Sequence, residues 1–160
     1  MKKLTPKNAK FIALKYLKKH KEKEGRDFAR VHTEAVVEIG KMLAKRLGAN
    51  ISIVEMCAWV HDIGSVVESD NHAKHSLDLL EREGFEISEL IKDCVLNHGT
   101  SGQPKSEEAK ILQMADKLSI LSIPVLKILF NQKNITATDT DFVSKMTTVA
   151  VDHLKKLINI

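Results

Sequence analysis

One stretch limits the folds open to this chain more than any other. Ile53, Val54, Met56, Cys57, Ala58, Trp59 and Val60 make residues 53–60 apolar almost all the way round a helix, which then runs into His61-Asp62-Ile63-Gly64. A helix without a polar face has to be covered on every side, and the rest of the chain carries apolar residues at the spacing that would cover it. Phe11, Leu14, Tyr16 and Leu17 recur at helical spacing between a Thr5-Pro6 cap and Gly25. Val31, Ala35, Val36, Ile39, Leu43 and Leu47 repeat by threes and fours from about Asp27 to Gly48.

Further helices are predicted from His75 through Leu77, Leu79 and Leu80 to Gly84, and from Ser88 through Ile91, Val95 and Leu96 to His98. A Gly- and Pro-containing loop at 99–106 precedes a helix capped by Ser106 that carries Ile111, Leu112, Met114, Ala115, Asp116 and Leu118. Pro124 kinks or restarts it, and a last helix runs from about Thr140 to Ile158. No period-two strand, repeat or linker is present, and only 7 Gly and 3 Pro are available to break helices. The expected class is therefore an all-α, single-domain helical bundle over residues 1–160.

Charge and cysteine usage narrow the function. Nine Lys against Glu22 and Glu24 crowd residues 1–24, while the body of the chain is not basic. A lysine-rich helix face is ordinarily solvated, so nucleic acid is disfavoured as a partner and small anionic substrates stay compatible. Cys57 and Cys94 form no Cys-x-x-Cys pair, which removes a thiolate zinc site and fits a reducing cytoplasm. No apolar h-region follows Lys2 and Lys3, and no window approaches the roughly 18 apolar residues of a spanning helix, so neither export nor membrane insertion is expected.

Polar residues at the inward positions of helices call for a partner. His61 and Asp62 close the most apolar helix, and a metal ion would satisfy both if it sat beside the break at Gly64. Mixed imidazole and carboxylate donors suit Mn, Fe, Co, Ni or Zn, with Mg admissible. His20, among Lys18, Lys19 and Lys21, reads as a solvated helix residue, His153 as a core-edge residue and His72 as a loop histidine.

The order His32, His61-Asp62-Ile63-Gly64 and Met114-Ala115-Asp116-Lys117 resembles the HD superfamily of metal-dependent phosphohydrolases over about residues 26–121. That core would be flanked by an N-terminal helix at 5–24 and C-terminal helices at about 120–158. The resemblance implies a first ion held by His32, His61, Asp62 and Asp116. Asp62 would bridge to a second ion held by His75 and His98, giving one or two ions in all. It further implies hydrolysis of a phosphate ester, of a nucleotide or related small molecule, by metal-activated water, with Asp62 and Asp116 as catalytic residues.

Two departures bear on the substrate. Ser65 stands where many HD relatives place Lys or Arg, leaving Arg30, Lys74, Lys105 and Lys117 as candidate phosphate contacts. Gly99-Thr100-Ser101-Gly102-Gln103-Pro104 lacks the Gly-Tyr-Pro signature of relatives that cleave cyclic dinucleotides. A non-catalytic metal-binding or regulatory module and a di-iron oxygenase of the same superfamily are the alternative readings. The apolar stretch Ile120 to Phe130 with the final helix serves either a homodimer surface or the core.

Overall fold

The computed structural model describes residues 1–131 together with 141, 143–145, 147–148, 151–152 and 155. The described residues fold as an all-α bundle without a β-sheet: the single extended pairing is an isolated bridge between Lys2 and Phe85. The helices are α1 (Pro6–Leu17), α2 (Lys23–Leu47), α3 (Ile51–Val60), α4 (His72–Arg82), α5 (Glu89–Leu96), α6 (Glu107–Ser119) and α7 (Ile123–Asn131), with a 3-10 turn at Ile63–Val66 after α3. No described helix is long and apolar enough to cross a membrane. The final helix read between about 140 and 158, with His153, lies largely outside the described residues.

The apolar helix α3 is the centre, packed on by α1, α2, α5 and α6. Val54, Cys57, Ala58 and Val60 are fully buried there, and Trp59 nearly so. Helix starts follow local capping: Thr5 and Asn8 form a reciprocal box at α1, and Asn50, Ser88 and Ser106 each accept the backbone N–H three residues on. α2 ends at Gly48, whose φ of 76° is left-handed and suits glycine.

Three boundaries differ from the sequence reading. α1 stops at Leu17 and α2 starts at Lys23, so His20 sits in the connection rather than on a helix face. α3 ends at Val60, and His61 and Asp62 lie in the tight turn beyond it. α4 begins at His72, three residues before His75, so His72 is the first helical residue and not a loop residue.

The junction between the 3-10 turn and α4 is the tightest in the fold. The buried Ser76 hydroxyl accepts from Gly64 N–H (2.9 Å) and donates to the carbonyls of His61 (2.8 Å) and His72 (2.9 Å). A Cβ on Gly64 would stand 2.1 Å from the His72 oxygen and 2.5 Å from the Ser76 nitrogen. Those neighbours are backbone and cannot turn aside. Gly64→Ala should therefore destabilise the fold by about 3 kcal/mol or more, read as the loss of unfolding free energy in denaturant; a variant as stable as the parent would show that the turn can open.

Candidate metal centre

Five elements aim side chains at one point. His32 comes from α2, His61 and Asp62 from the turn after α3, His72 from the start of α4, His98 from just beyond α5, and Asp116 from α6. His32, His61, His98 and Asp116 are all buried, His61 completely. Two sets of ligand atoms lie close enough for a common ion: His32, His61 and Asp116, and His61, Asp62 and His98.

The orientation of the rings follows from their second nitrogens. His61 Nδ1 lies 2.8 Å from Ala58 O, His98 Nδ1 2.6 Å from Val95 O, and His72 Nδ1 2.5 Å from Ser69 O. A carbonyl only accepts, so each Nδ1 carries the proton. Ser119 Oγ donates to Asp116 O (2.6 Å) and so accepts from His32 Nδ1–H (2.9 Å). In the neutral form of each ring, Nε2 is therefore the lone-pair nitrogen, the atom that can bind an ion. The four Nε2 atoms face carboxylate oxygens: His32 to Asp116 Oδ1 at 3.2 Å, His61 to Asp62 Oδ2 at 3.5 Å, and both His72 and His98 to Asp62 Oδ1 at 3.2 Å. His72 and His98 also stand Nε2 to Nε2 at 3.0 Å.

Lone pairs facing lone pairs in a buried place repel unless something positive lies between them. His61 Nε2 and Asp62 Oδ1 are buried and make no hydrogen bond among the described residues. Bonds of about 2.1 Å at tetrahedral or octahedral angles place neighbouring donor atoms about 3.0–3.4 Å apart, close to several of these separations. The donor set fits one or two divalent ions. Asp62 straddles it, Oδ2 toward the His32–His61–Asp116 side and Oδ1 toward His98 and His72.

Protons show the same demand for positive charge. Burial works against the His32 imidazolium, yet the hydrogen bonds it donates to Asp116 and Asp62 outweigh it and raise the pKa to about 9. Burial, opposed only in part by Asp62, lowers His61 to about 4. Asp62 and Asp116 stay well below the usual carboxylate range despite burial, because the surrounding imidazoles, and Lys117 for Asp116, favour the charged forms.

A cavity of about 340 Å³ opens on the cluster, lined by Phe28, His32, Asp62, His72, His98, Gly99, Thr100, Asp116, Lys117 and Ile120. Of the four basic residues read as phosphate contacts, Lys117 lines it, buried and ion-paired with Asp116. Arg30 lies in a different cleft with Lys18 and Arg26, Lys105 borders a groove beside α5, and Lys74 is exposed. His75 also faces elsewhere: its Nε2 is 3.2 Å from Glu68 and its Nδ1 3.6 Å from Asp78. The second imidazole beside Asp62 and His98 is His72, which sequence reading set aside. A helical wheel was the available signal, since it turns His72 nearer than His75 to the face of Ser76, Leu77, Leu79 and Leu80. Sequence reading also missed His20, whose Nε2 lies 3.2 Å from Ser65 Oγ; that hydroxyl in turn donates to Asp62 O (2.6 Å).

Comparison with known proteins agrees with this geometry. Residues 30–121 match the HD domain family. The chain belongs to that family, whose metal-dependent hydrolase fold it shares. It is 26% identical over 110 residues to a deoxyguanosinetriphosphate triphosphohydrolase-like protein of Caldanaerobacter subterraneus subsp. tengcongensis, covering 57% of this chain and 32% of that one. It is 33% identical over 91 residues to ribonuclease Y of Treponema denticola, covering 55% and 18%. The chain thus spans a third or less of the length of these curated relatives. The crystal structure of a predicted HD superfamily hydrolase from an uncultured Thermotogales bacterium superposes with a TM-score of 0.59 at 22% identity, over 92% of this chain and 90% of that one. That likeness shows the fold.

An ion entering the cluster has to replace the proton on His32, which is held below a pH of about 9. Apparent affinity for Zn or Mn should therefore climb between neutral pH and about 9 and level off above it, as read by titration against a competing chelator. An affinity flat across that range would mean that no proton is displaced there.

Proposed function

We propose that this chain is a metal-dependent phosphohydrolase that cleaves a phosphate ester of a nucleotide or a related small molecule. One observation carries the reading: the Nε2 atoms of four imidazoles, each ring held through its Nδ1, converge on the carboxylates of Asp62 and Asp116 at the floor of an open cavity. Divalent ions held there supply the Lewis acid and the acidified water that ester hydrolysis uses.

The chain's own residues supply the rest. His32, His61, Asp62 and Asp116 hold the first ion. Asp62 reaches across to a second place flanked by His98 and His72, the latter taking the part first read for His75. Asp116 stays ionised through His32 and Lys117, and as an acceptor-only group it orients water by accepting a hydrogen bond from it. Lys117 puts a positive charge into the cavity wall, where a phosphate dianion would replace part of its interaction with Asp116. Phe28, stacked on His32 with ring centroids 5.7 Å apart, and Ile120 give the cavity an apolar side suited to the organic part of an ester. The names of the two curated relatives, a triphosphohydrolase-like protein and a ribonuclease, both refer to cleavage at phosphorus in nucleotides, which supports that substrate class. We place the enzyme in the cytoplasm, where such esters are found.

Elemental analysis of protein purified without chelator, beside a screen of phosphomonoesters, phosphodiesters and nucleotides with Mn, Co, Ni or Mg, tests the reading. The expected result is bound metal with phosphate release, both abolished by Asp62→Ala. Metal without turnover would favour a regulatory module, and iron with oxygen consumption the oxygenase. His72→Ala should lose the more weakly held ion while His75→Ala retains it; the reverse pattern would return the ligand role to His75.

A further inference from the structure

Gln113 is a buried polar side chain on α6 that the proposed chemistry leaves unused. It is 2% exposed, and its amide nitrogen donates to three backbone carbonyls of one short segment: Asn97 O at 3.1 Å, Gly99 O at 2.7 Å and Gly102 O at 3.2 Å. The segment wraps the amide closely. A Cβ on Gly102 would stand 2.3 Å from Asn97 O, Gly102 N–H donates to Gly99 O (3.0 Å), and Asp93 holds Asn97 from the other side (2.9 Å). Asp93 also accepts from Ser106 N–H (2.8 Å), so both ends of the loop are tied down.

Drawing these carbonyls inward has a consequence for the amides. In a trans peptide the C=O and N–H point in opposite directions, and no cis peptide occurs among the described residues. The Gly99–Thr100 carbonyl faces Gln113, so the Thr100 N–H faces away from it. Gly99 and Thr100 form part of the cavity wall above His98 and Asp62. Among the described residues, the Thr100 N–H donates to no protein acceptor.

Resting on the phosphohydrolase reading above, we propose that the Asn97–Gly102 turn is the phosphate-recognition element of the site. The Thr100 N–H, with the Thr100 hydroxyl beside it, donates to a non-bridging oxygen of the substrate phosphate. Gln113 is the positioning residue that turns the peptide to make this donor available. The turn thus adds an uncharged donor to the Lys117 charge in the same cavity wall, and it selects for a tetrahedral oxyanion by the direction of its hydrogen bond.

The test uses the full chain loaded with Zn, with inorganic phosphate as the probe. Thr100→Pro, which removes the N–H, should weaken phosphate binding by about ten- to a hundred-fold, the scale of one hydrogen bond to a charged group. Thr100→Ala, which removes only the hydroxyl, should lose several-fold less. Gln113→Met should raise KM for a hydrolysed ester far more than it lowers kcat, with the zinc on His32, His61 and Asp116 retained. In the parent protein, without any variant, the Thr100 amide proton should move downfield in NMR spectra as phosphate is added. Variants that bind phosphate as the parent does, or a Thr100 amide that does not move while phosphate binds, overturn the proposal alone. A parent that neither binds phosphate nor turns over any ester overturns it together with the hydrolase reading.

Discussion

Two carboxylates and four imidazole nitrogens brought together inside a protein demand positive charge between them, and the rest of the architecture is arranged to hold them there. Asp62 is the hinge of that arrangement. Its two oxygens face two groups of nitrogens, so one residue links α2, α4 and the end of α5 around the end of α3. The apolar character of α3 now has a reason beyond core filling: a helix buried on all sides can deliver its last turn to the centre of the bundle, where ligands from several directions can meet it.

Much of this was legible in the sequence, and the losses have physical causes. The burial of α3 followed from apolar periodicity, the need of His61 and Asp62 for a partner followed from their place at its end, and the grouping of those two with His32 and Asp116 came from the resemblance to the HD superfamily. What failed was the start of α4. Glu68 to Asn71 read as a polar loop, and with no side-chain cap at Asn71 to mark the boundary, His72 stayed in the loop and His75 took its place. The roles of Ser76, Ser119 and Gln113 were illegible for another reason. Ser76 and Gln113 reach backbone carbonyls, and Ser119 the His32 ring, across long stretches of sequence, and no periodicity reports a contact of that kind.

The site is also wider than the residues that match the family. Those begin at residue 30, yet His20 reaches Ser65, which is bonded to the Asp62 carbonyl. Arg26 holds the His20 and Lys21 carbonyls at 2.9 and 2.7 Å, bracing the connection between α1 and α2 against the turn that carries Asp62. The connection between α1 and α2 therefore supports the ligand cluster, while α1 covers α3.

Three of the four rings are aimed by main-chain carbonyls of the third residue before them, Ala58, Ser69 and Val95. A carbonyl belongs to the backbone and survives any exchange of the side chain attached to it. The aim of His61, His72 and His98 is therefore tolerant of sequence drift at the residues that set it, provided the local turn persists. His32 differs, because its orienting partner is the hydroxyl of Ser119. Over evolutionary time the cluster has one side anchored in backbone geometry, free to vary in composition, and one side that depends on the retention of a single hydroxyl.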